Sequence, residues 1–210
     1  MKNKIVLITG ASSGIGWATA EAFADQGANL ILCGRRKERL EKLSQKLATK
    51  ILLLTFDVRD RKAVFESLGH LPKEWKNVDI LINNAGNAHG LDPVQTANLD
   101  DWDAMIDGNV YCSSKYAVDA FTQGLRIDLN PDGIKVSAIH PGLVHTEFSE
   151  VRFKGDQNRA DKVYEGIEAL KAKDVADAIL YIALAPAKVN IADLVLLPTR
   201  QANAYISNRK

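Results

Sequence analysis

The sequence predicts an α/β protein built on a doubly wound parallel sheet, and three observations predict it. Short runs rich in Ile, Leu and Val recur without polar alternation, amphipathic stretches separate them, and the first run ends in a glycine-rich turn that opens a helix. Continuous apolar runs of strand length suit strands covered on both faces, and their alternation with helices implies a parallel sheet with helices on each side. Six strands are expected, at residues 4–9, 29–33, 51–57, 78–83, 135–140 and 193–197.

A chain of 210 residues fits a single domain, 1–210, and its 46% apolar and 25% charged residues are those of an ordinary globular protein. Lys and Arg (27) nearly balance Asp and Glu (26), so no field draws the chain to nucleic acid or to an anionic membrane, and small molecules are the expected partners. The apolar run Ile5–Ile8 near the start is too short for a signal segment or a membrane span, which points to the cytoplasm. Cys33 and Cys112 form neither a disulfide framework nor a metal-binding spacing and are expected as reduced, buried thiols. His70, His89, His140 and His145 are scattered, and no metal is expected.

The first strand ends in Thr9-Gly10-Ala11-Ser12-Ser13-Gly14-Ile15-Gly16. A tight strand-to-helix turn needs residues without Cβ where φ is positive. A pyrophosphate can approach the free N–H groups at the helix start only where side chains are absent. Gly10, Gly14 and Gly16 meet both needs, with Ser12, Ser13 and Ile15 completing the loop, so a dinucleotide-binding Rossmann fold is expected. The helix runs over 15–26, and Gly27 stands where a C-terminal glycine is favoured.

The end of the second strand selects the dinucleotide. An acid there bonds the ribose 2′-OH of NAD, whereas arginine accommodates the 2′-phosphate of NADP. This chain reads Cys33-Gly34-Arg35-Arg36, with no acid, so NADP is expected with Arg35 and Arg36 as its phosphate partners. A helix follows at 37–47. The third strand ends at Asp57-Val58, and Asp60 stands as N-cap of a helix over 60–68. The fourth ends in Asn83-Asn84-Ala85-Gly86 and leads into a long loop, 86–98.

Residues 111–129 have helical periodicity, which puts Tyr111 and Lys115 on one helix face. A nearby ammonium stabilises a phenolate, so such a tyrosine can exchange a proton near neutral pH. The fifth strand gives way to Pro141-Gly142 and a second long loop, 142–166, before a last helix at 174–184 with Asp174 at its N-cap.

Taken in order, the Thr9–Gly16 turn, Asp57-Val58, Asn83-Asn84-Ala85-Gly86, Tyr111 to Lys115, and Pro141-Gly142 with Thr146 resemble the short-chain dehydrogenase/reductase family over nearly the whole chain. That resemblance implies that Asp57 and Val58 lie against the adenine and that Asn83, Ala85 and Gly86 floor the cofactor site. It also implies that Lys115 holds the nicotinamide ribose, that Tyr111 is the acid/base, and that Pro141, Gly142, Val144 and Thr146 bracket the nicotinamide amide. The stretches from Pro141 to Ser149, Val151 to Asp156 and Val189 to Thr199 resemble the branch that oxidises 3-hydroxy acids such as serine. The implied substrate is a small carboxylate, with Arg152 or Lys154 as its ion partner.

The family pattern breaks before the tyrosine. In the family the helix that the resemblance puts at residues 100–106 here continues past an asparagine, and a further strand ending in the catalytic serine precedes the tyrosine. Here Met105-Ile-Asp-Gly-Asn-Val110 runs straight into Tyr111. The missing half-helix, strand and loop amount to about 30 to 40 residues. Asn109 fits two family positions at once, as a join would, and is a third candidate catalytic residue. The expectation is an oxidoreductase with one strand fewer than the family, the alternative being an NADP(H)-binding fold with impaired catalysis. Family members commonly form dimers and tetramers through the helices around the missing piece, so a homo-oligomer is implied with its interface interrupted.

Overall fold

Each of the six apolar runs contributes a strand in the computed structural model, which describes residues 1–86, 111–203 and 206–210, with residues 111–115 as backbone only. Residues 87–98 of the expected loop, the helix expected at 100–106, His89 and Asn109 lie outside the described residues. The chain divides into two compact units, 1–86 with 172–184 and 87–171 with 185–210.

The first unit holds β1 (Ile5–Thr9), β2 (Asn29–Gly34), β3 (Ile51–Thr55) and β4 (Ile80–Ile82), all parallel in the order β3-β2-β1-β4. Its helices are α1 (Gly14–Asp25), α2 (Lys37–Ser44), α3 (Arg61–Gly69) and, from late in the chain, α7 (Ala172–Leu184). Strand alternation sends successive side chains to opposite faces. Val6, Ile8, Leu30 and Leu32 accordingly pack with Ala20, Phe23, Leu40 and Leu43 on one side, against Ile179 and Leu180. Ile5, Leu7, Ile31 and Cys33 pack with Phe56 and Leu71 on the other, against Ala63 and Val64. Each fully buried Leu, Ile or Phe contributes about 1.5–3 kcal/mol.

Burial on both faces, expected of every strand, holds for the central β1 and β2 but not at the edge. Leu81 of β4 is 56% exposed. Among the described residues β4 pairs only with β1.

The helix ends follow local chemistry. Gly27 N–H bonds the Ala24 carbonyl and Ala28 N–H the Phe23 carbonyl, the Schellman pattern that closes α1. Asp60 caps α3 by accepting from Ala63 N at 3.0 Å. The expectation for Asp174 is corrected. The last helix begins at Ala172, so Asp174 lies inside its first turn rather than at its N-cap position, and its charge favours the positive end of the helix.

The second unit holds α4 (Tyr111–Asp128), the parallel pair β5 (Ala138–Pro141) and β8 (Asp193–Leu196), and a two-residue parallel ladder of β6 (Val144–His145) with β7 (Leu170–Lys171). The segment expected as a plain loop over 142–166 is corrected. It contains β6, α5 (Phe148–Arg152) and α6 (Gln157–Lys162), the last capped by Asp156 accepting from Arg159 N at 3.0 Å. Arg126 on α4 donates from Nε to the Val136 carbonyl at 3.0 Å and from Nη2 to the Ala192 carbonyl at 2.8 Å, tying the helix to the chain entering β5 and β8. No helix among the described residues is long and apolar enough to cross a membrane.

Candidate functional site

The turn after β1 is built to keep side chains out. Gly10 has φ +67°, and a Cβ there would lie 2.9 Å from Asn84 Nδ2 and 3.0 Å from Ala85 Cα. A Cβ on Gly16 would meet the Gly10 carbonyl oxygen and, at 2.6 Å, Asn84 Nδ2. The loop is thus packed against the end of β4 with no room for a larger residue at either position.

Two polar side chains lock that packing. Thr9 Oγ1 donates to the Ile82 carbonyl at 3.3 Å and accepts from Asn84 N and Ala85 N, each at 3.0 Å. Asn84 Nδ2 donates to the carbonyls of Thr9 at 3.0 Å and Gly10 at 3.3 Å. The sequence reading passed over both residues in these roles. The available signal was their position, each at the C-terminal end of an apolar run, but using it requires knowing that β1 and β4 are neighbours.

Arg36 crosses from the end of β2 to the same turn. Its Nη2 donates to Ser13 Oγ at 2.7 Å and to Ser12 Oγ at 3.1 Å, and Nε donates to Ser12 Oγ at 3.2 Å. Accepting from a guanidinium leaves each hydroxyl its own proton, directed at whatever acceptor lies in the turn. Ser13 is the N-cap of α1 yet makes no side-chain bond to the helix backbone. The first turn therefore has no side-chain cap from that residue, which suits an anion at the helix start.

Arg35 is placed differently. Its Nη1 lies 3.7 Å from Asp57 Oδ2, with 60% of its side chain exposed. Asp57 is held chiefly by Arg59, whose Nη2 reaches Oδ2 at 2.7 Å and whose backbone N–H reaches Oδ1 at 3.0 Å. These bonds, with the Arg35 charge beside them, lower the Asp57 carboxyl to about 2. Val58 next to it is 46% exposed. Burial pushes the Cys33 thiol up to about 12, so the thiol under the β2 end stays protonated at neutral pH.

In the second unit, Pro141 closes β5, and Gly142 N–H bonds the Leu196 carbonyl at 2.8 Å. Gln201 accepts from Leu143 N at 2.8 Å through Oε1 and donates to the Asn203 carbonyl at 3.2 Å. Tyr164 Oη donates to the Val144 carbonyl at 3.1 Å and lies 2.6 Å from Ser149 Oγ. Thr146 Oγ1 accepts from Phe148 N at 3.3 Å, at the entry to α5. Farther on, Arg209 donates to the carbonyls of Val163 at 3.1 Å and Glu165 at 2.7 Å, while Lys210 N bonds the Gly166 carbonyl at 3.1 Å. One terminal segment thus braces both ends of residues 143–166. Gln201, Tyr164 and Arg209 carry no motif in the sequence and were not anticipated.

Arg152 ends α5, and Lys154 adopts φ +54° just beyond it. Tyr111 and Lys115 stand one turn apart in the first turns of α4. Among the described residues no group of three or more His, Cys, Asp or Glu could hold a metal ion.

The model of the short chain dehydrogenase family matches this chain over residues 4–110 and 108–157. The chain belongs to that family. The NADP-dependent 3-hydroxy acid dehydrogenase YdfG of Escherichia coli K12 is 38% identical over 243 aligned positions, which take in 97% of this chain and 98% of the relative. Sulfoacetaldehyde reductase 2 of Chromohalobacter salexigens is 40% identical, covering 94% of this chain and 95% of that protein. Among solved structures, the closed form of a serine dehydrogenase complexed with NADP+ superposes with a TM-score of 0.91 at 37% identity, covering 98% and 99% of the two chains.

The match also locates the interruption. The family model aligns in two pieces that share residues 108–110, so the same three residues satisfy both sides of a break. Because 97% of 210 residues is about 204, the 243 aligned positions hold about 39 that have no counterpart in this dehydrogenase-family chain. That agrees with the loss of a half-helix, a strand and a loop read around Asn109.

Proposed function

We propose that the protein is an NADP(H)-dependent oxidoreductase acting on a small 3-hydroxy acid or on its semialdehyde or keto partner. The observation that carries this reading is Arg36, a cation bonded to Ser12 and Ser13 of the glycine turn from the end of β2, whose own sequence Cys33-Gly34-Arg35-Arg36 carries no acid. The donor set fits a dinucleotide carrying a 2′-phosphate. Arg36 and Arg35 face the phosphate, Ser12, Ser13 and the N–H groups of Gly14, Ile15 and Gly16 take the pyrophosphate, and Gly10 keeps the approach open. Asp57 and Val58 flank the adenine, and Asn83, Ala85 and Gly86 form the floor. The YdfG relative and the serine dehydrogenase structure, both named for NADP and for hydroxy acid substrates, support the same assignment.

The bound nicotinamide supplies the hydride. Tyr111 gives a proton to the carbonyl oxygen, or takes one from the alcohol, and the Lys115 ammonium stabilises the phenolate and holds the nicotinamide ribose. Pro141, Gly142, Val144 and Thr146 bracket the amide, with Leu143 between them fixed by Gln201. Arg152 and Lys154 are the cations available to the substrate carboxylate. The exposed Tyr116, Phe121 and Ile127 along α4 fit a homo-oligomer, which size-exclusion chromatography with light scattering tests.

A second reading rests on the same interruption. The missing positions carry the family's serine, so a folded NADP(H)-binding protein with little or no turnover is the alternative, Asn109 then having no catalytic part. NADPH consumption against a panel of small semialdehydes and 3-keto acids, with cofactor binding followed in parallel, decides between the two. Turnover abolished by Tyr111→Phe with binding retained supports the enzyme. Binding without turnover in either form supports the alternative.

A further inference from the structure

The β6–β7 ladder is too short to fix its own geometry. Each strand has two residues, and Leu170 N donates to the Leu143 carbonyl at 2.9 Å. Successive carbonyls of a strand point to opposite edges, so the Val144 carbonyl faces away from β7 and needs a donor from elsewhere.

Tyr164 supplies that donor. Its hydroxyl gives its proton to the Val144 carbonyl at 3.1 Å, so in the 2.6 Å contact with Ser149 Oγ the serine is the donor. Ser149 is 5% exposed, which sets this chain of hydroxyls on a buried anchor in α5. The tyrosine is held at its other end as well, because Arg209 donates to the carbonyls of Val163 and Glu165 on either side of it. Its ring lies 4.5 Å from the His145 ring, tilted by 43°. One side chain, fixed at backbone and hydroxyl, thus meets both residues of β6. Gln201 fixes Leu143 N before this point, and Thr146 Oγ1 bonds Phe148 N after it. Between them the plane of the Val144 peptide is set by the Tyr164 hydroxyl.

We propose that Tyr164 is a positioning residue for the nicotinamide half of the dinucleotide. Its hydroxyl fixes the Val144 peptide, and with it the bracket that receives the nicotinamide amide, so it acts through Val144 rather than on the cofactor. This rests on the reading of Pro141 to Thr146 as that bracket, and it does not depend on turnover. Without the hydroxyl the Val144 carbonyl loses its donor and the peptide spends part of its time in other orientations. A ligand that needs one orientation then binds more weakly by the fraction of the population that keeps it.

The test compares two ligands on the full chain: NADPH, and adenosine 2′,5′-bisphosphate, which has the adenine half and its 2′-phosphate but no nicotinamide. Calorimetric titration gives both affinities in wild type, Tyr164→Phe and Ser149→Ala, and the emission of bound NADPH reports the surroundings of the reduced nicotinamide. Wild type should bind NADPH more tightly than the bisphosphate. Tyr164→Phe should weaken NADPH by about three- to tenfold and reduce its emission change, leaving the bisphosphate within about twofold. Ser149→Ala keeps the bond to Val144 and should have the smaller effect. Equal weakening of both ligands would assign the hydroxyl to the fold at large. No weakening, or a larger effect in Ser149→Ala, would remove the role through Val144, and each of these results overturns the proposal. Equal affinity of wild type for the two ligands, with NADPH emission unchanged, would show instead that the bracket reading is wrong, and the proposal falls with it.

Discussion

Replacing Arg36 with Met tests the cofactor reading most directly. In the free protein the change removes three hydrogen bonds to serine hydroxyls, at 2.7, 3.1 and 3.2 Å. Their acceptors are neutral and water can take the place of the guanidinium, so the folding cost is about 1 kcal/mol. The effect on NADPH is larger. A charge-assisted bond to phosphate contributes about 1.5–3 kcal/mol, and a pre-positioned guanidinium makes one or two of them. After allowance for solvent, about 2–4 kcal/mol is lost, which is about 30- to 700-fold in the dissociation constant. NADH lacks the 2′-phosphate, so its binding changes by no more than about threefold. Arg35 serves as the internal comparison. It is 60% exposed and already 3.7 Å from Asp57, so Arg35→Met costs NADPH about tenfold or less. Fluorescence titration of both cofactors with wild type, Arg36→Met and Arg35→Met gives the two ratios. If Arg36→Met weakens NADPH and NADH equally, the residue only shapes the turn and the 2′-phosphate assignment fails; if Arg35→Met has the larger effect, the two roles are reversed.

Further outcomes follow from the same groups. Thr9→Val leaves the N–H groups of Asn84 and Ala85 without their shared acceptor, and equilibrium urea unfolding should show a loss of about 1–3 kcal/mol; an unchanged midpoint would mean that water replaces the hydroxyl freely. Asp57, held at about 2 by Arg59, contributes stability that is present above the ordinary carboxylate pKa and is lost as pH falls through that lower value. In Arg59→Ala a carboxyl NMR titration should find Asp57 moved back up toward about 4, so the pH-dependent contribution shrinks; no movement would place the cause elsewhere. With its thiol raised to about 12 by burial, Cys33 in a Cys112→Ser background should not react with a thiol reagent at pH 8 until the chain is unfolded, and prompt native labelling would contradict its burial.

The parts of this molecule that were legible in the sequence are those whose signal is local and long enough to repeat. β1 and β2 announce themselves because burial on both faces forces five or six consecutive residues to be mostly apolar. The Thr9–Gly16 turn is equally plain, since its steric demands fall on adjacent residues. What escaped was either short or distant in sequence. β6 and β7 have two residues each, and α5 and α6 five and six, too few for a period to show. Thr9 and Asn84 meet across 75 positions of sequence, and Gln201 reaches Leu143 across 58. Asp174 was misread because a good N-cap residue also suits the first turn, and only the backbone distinguishes the two. The interruption near Asn109 was legible through the order of the motifs on either side of it, and the two overlapping family segments fall on the same residues.

The braces at Gln201 and Arg209 also bear on the order in which the protein can be completed. Residues 143–166 are translated before either brace, and a nascent chain that stops at the end of β8 has the bracketed segment without the bonds from Gln201 to Leu143 and from Arg209 to Val163 and Glu165. That stretch must therefore wait for residues 201–210 to gain these bonds. Its bracing is thus completed by a segment translated about forty residues after its own helices.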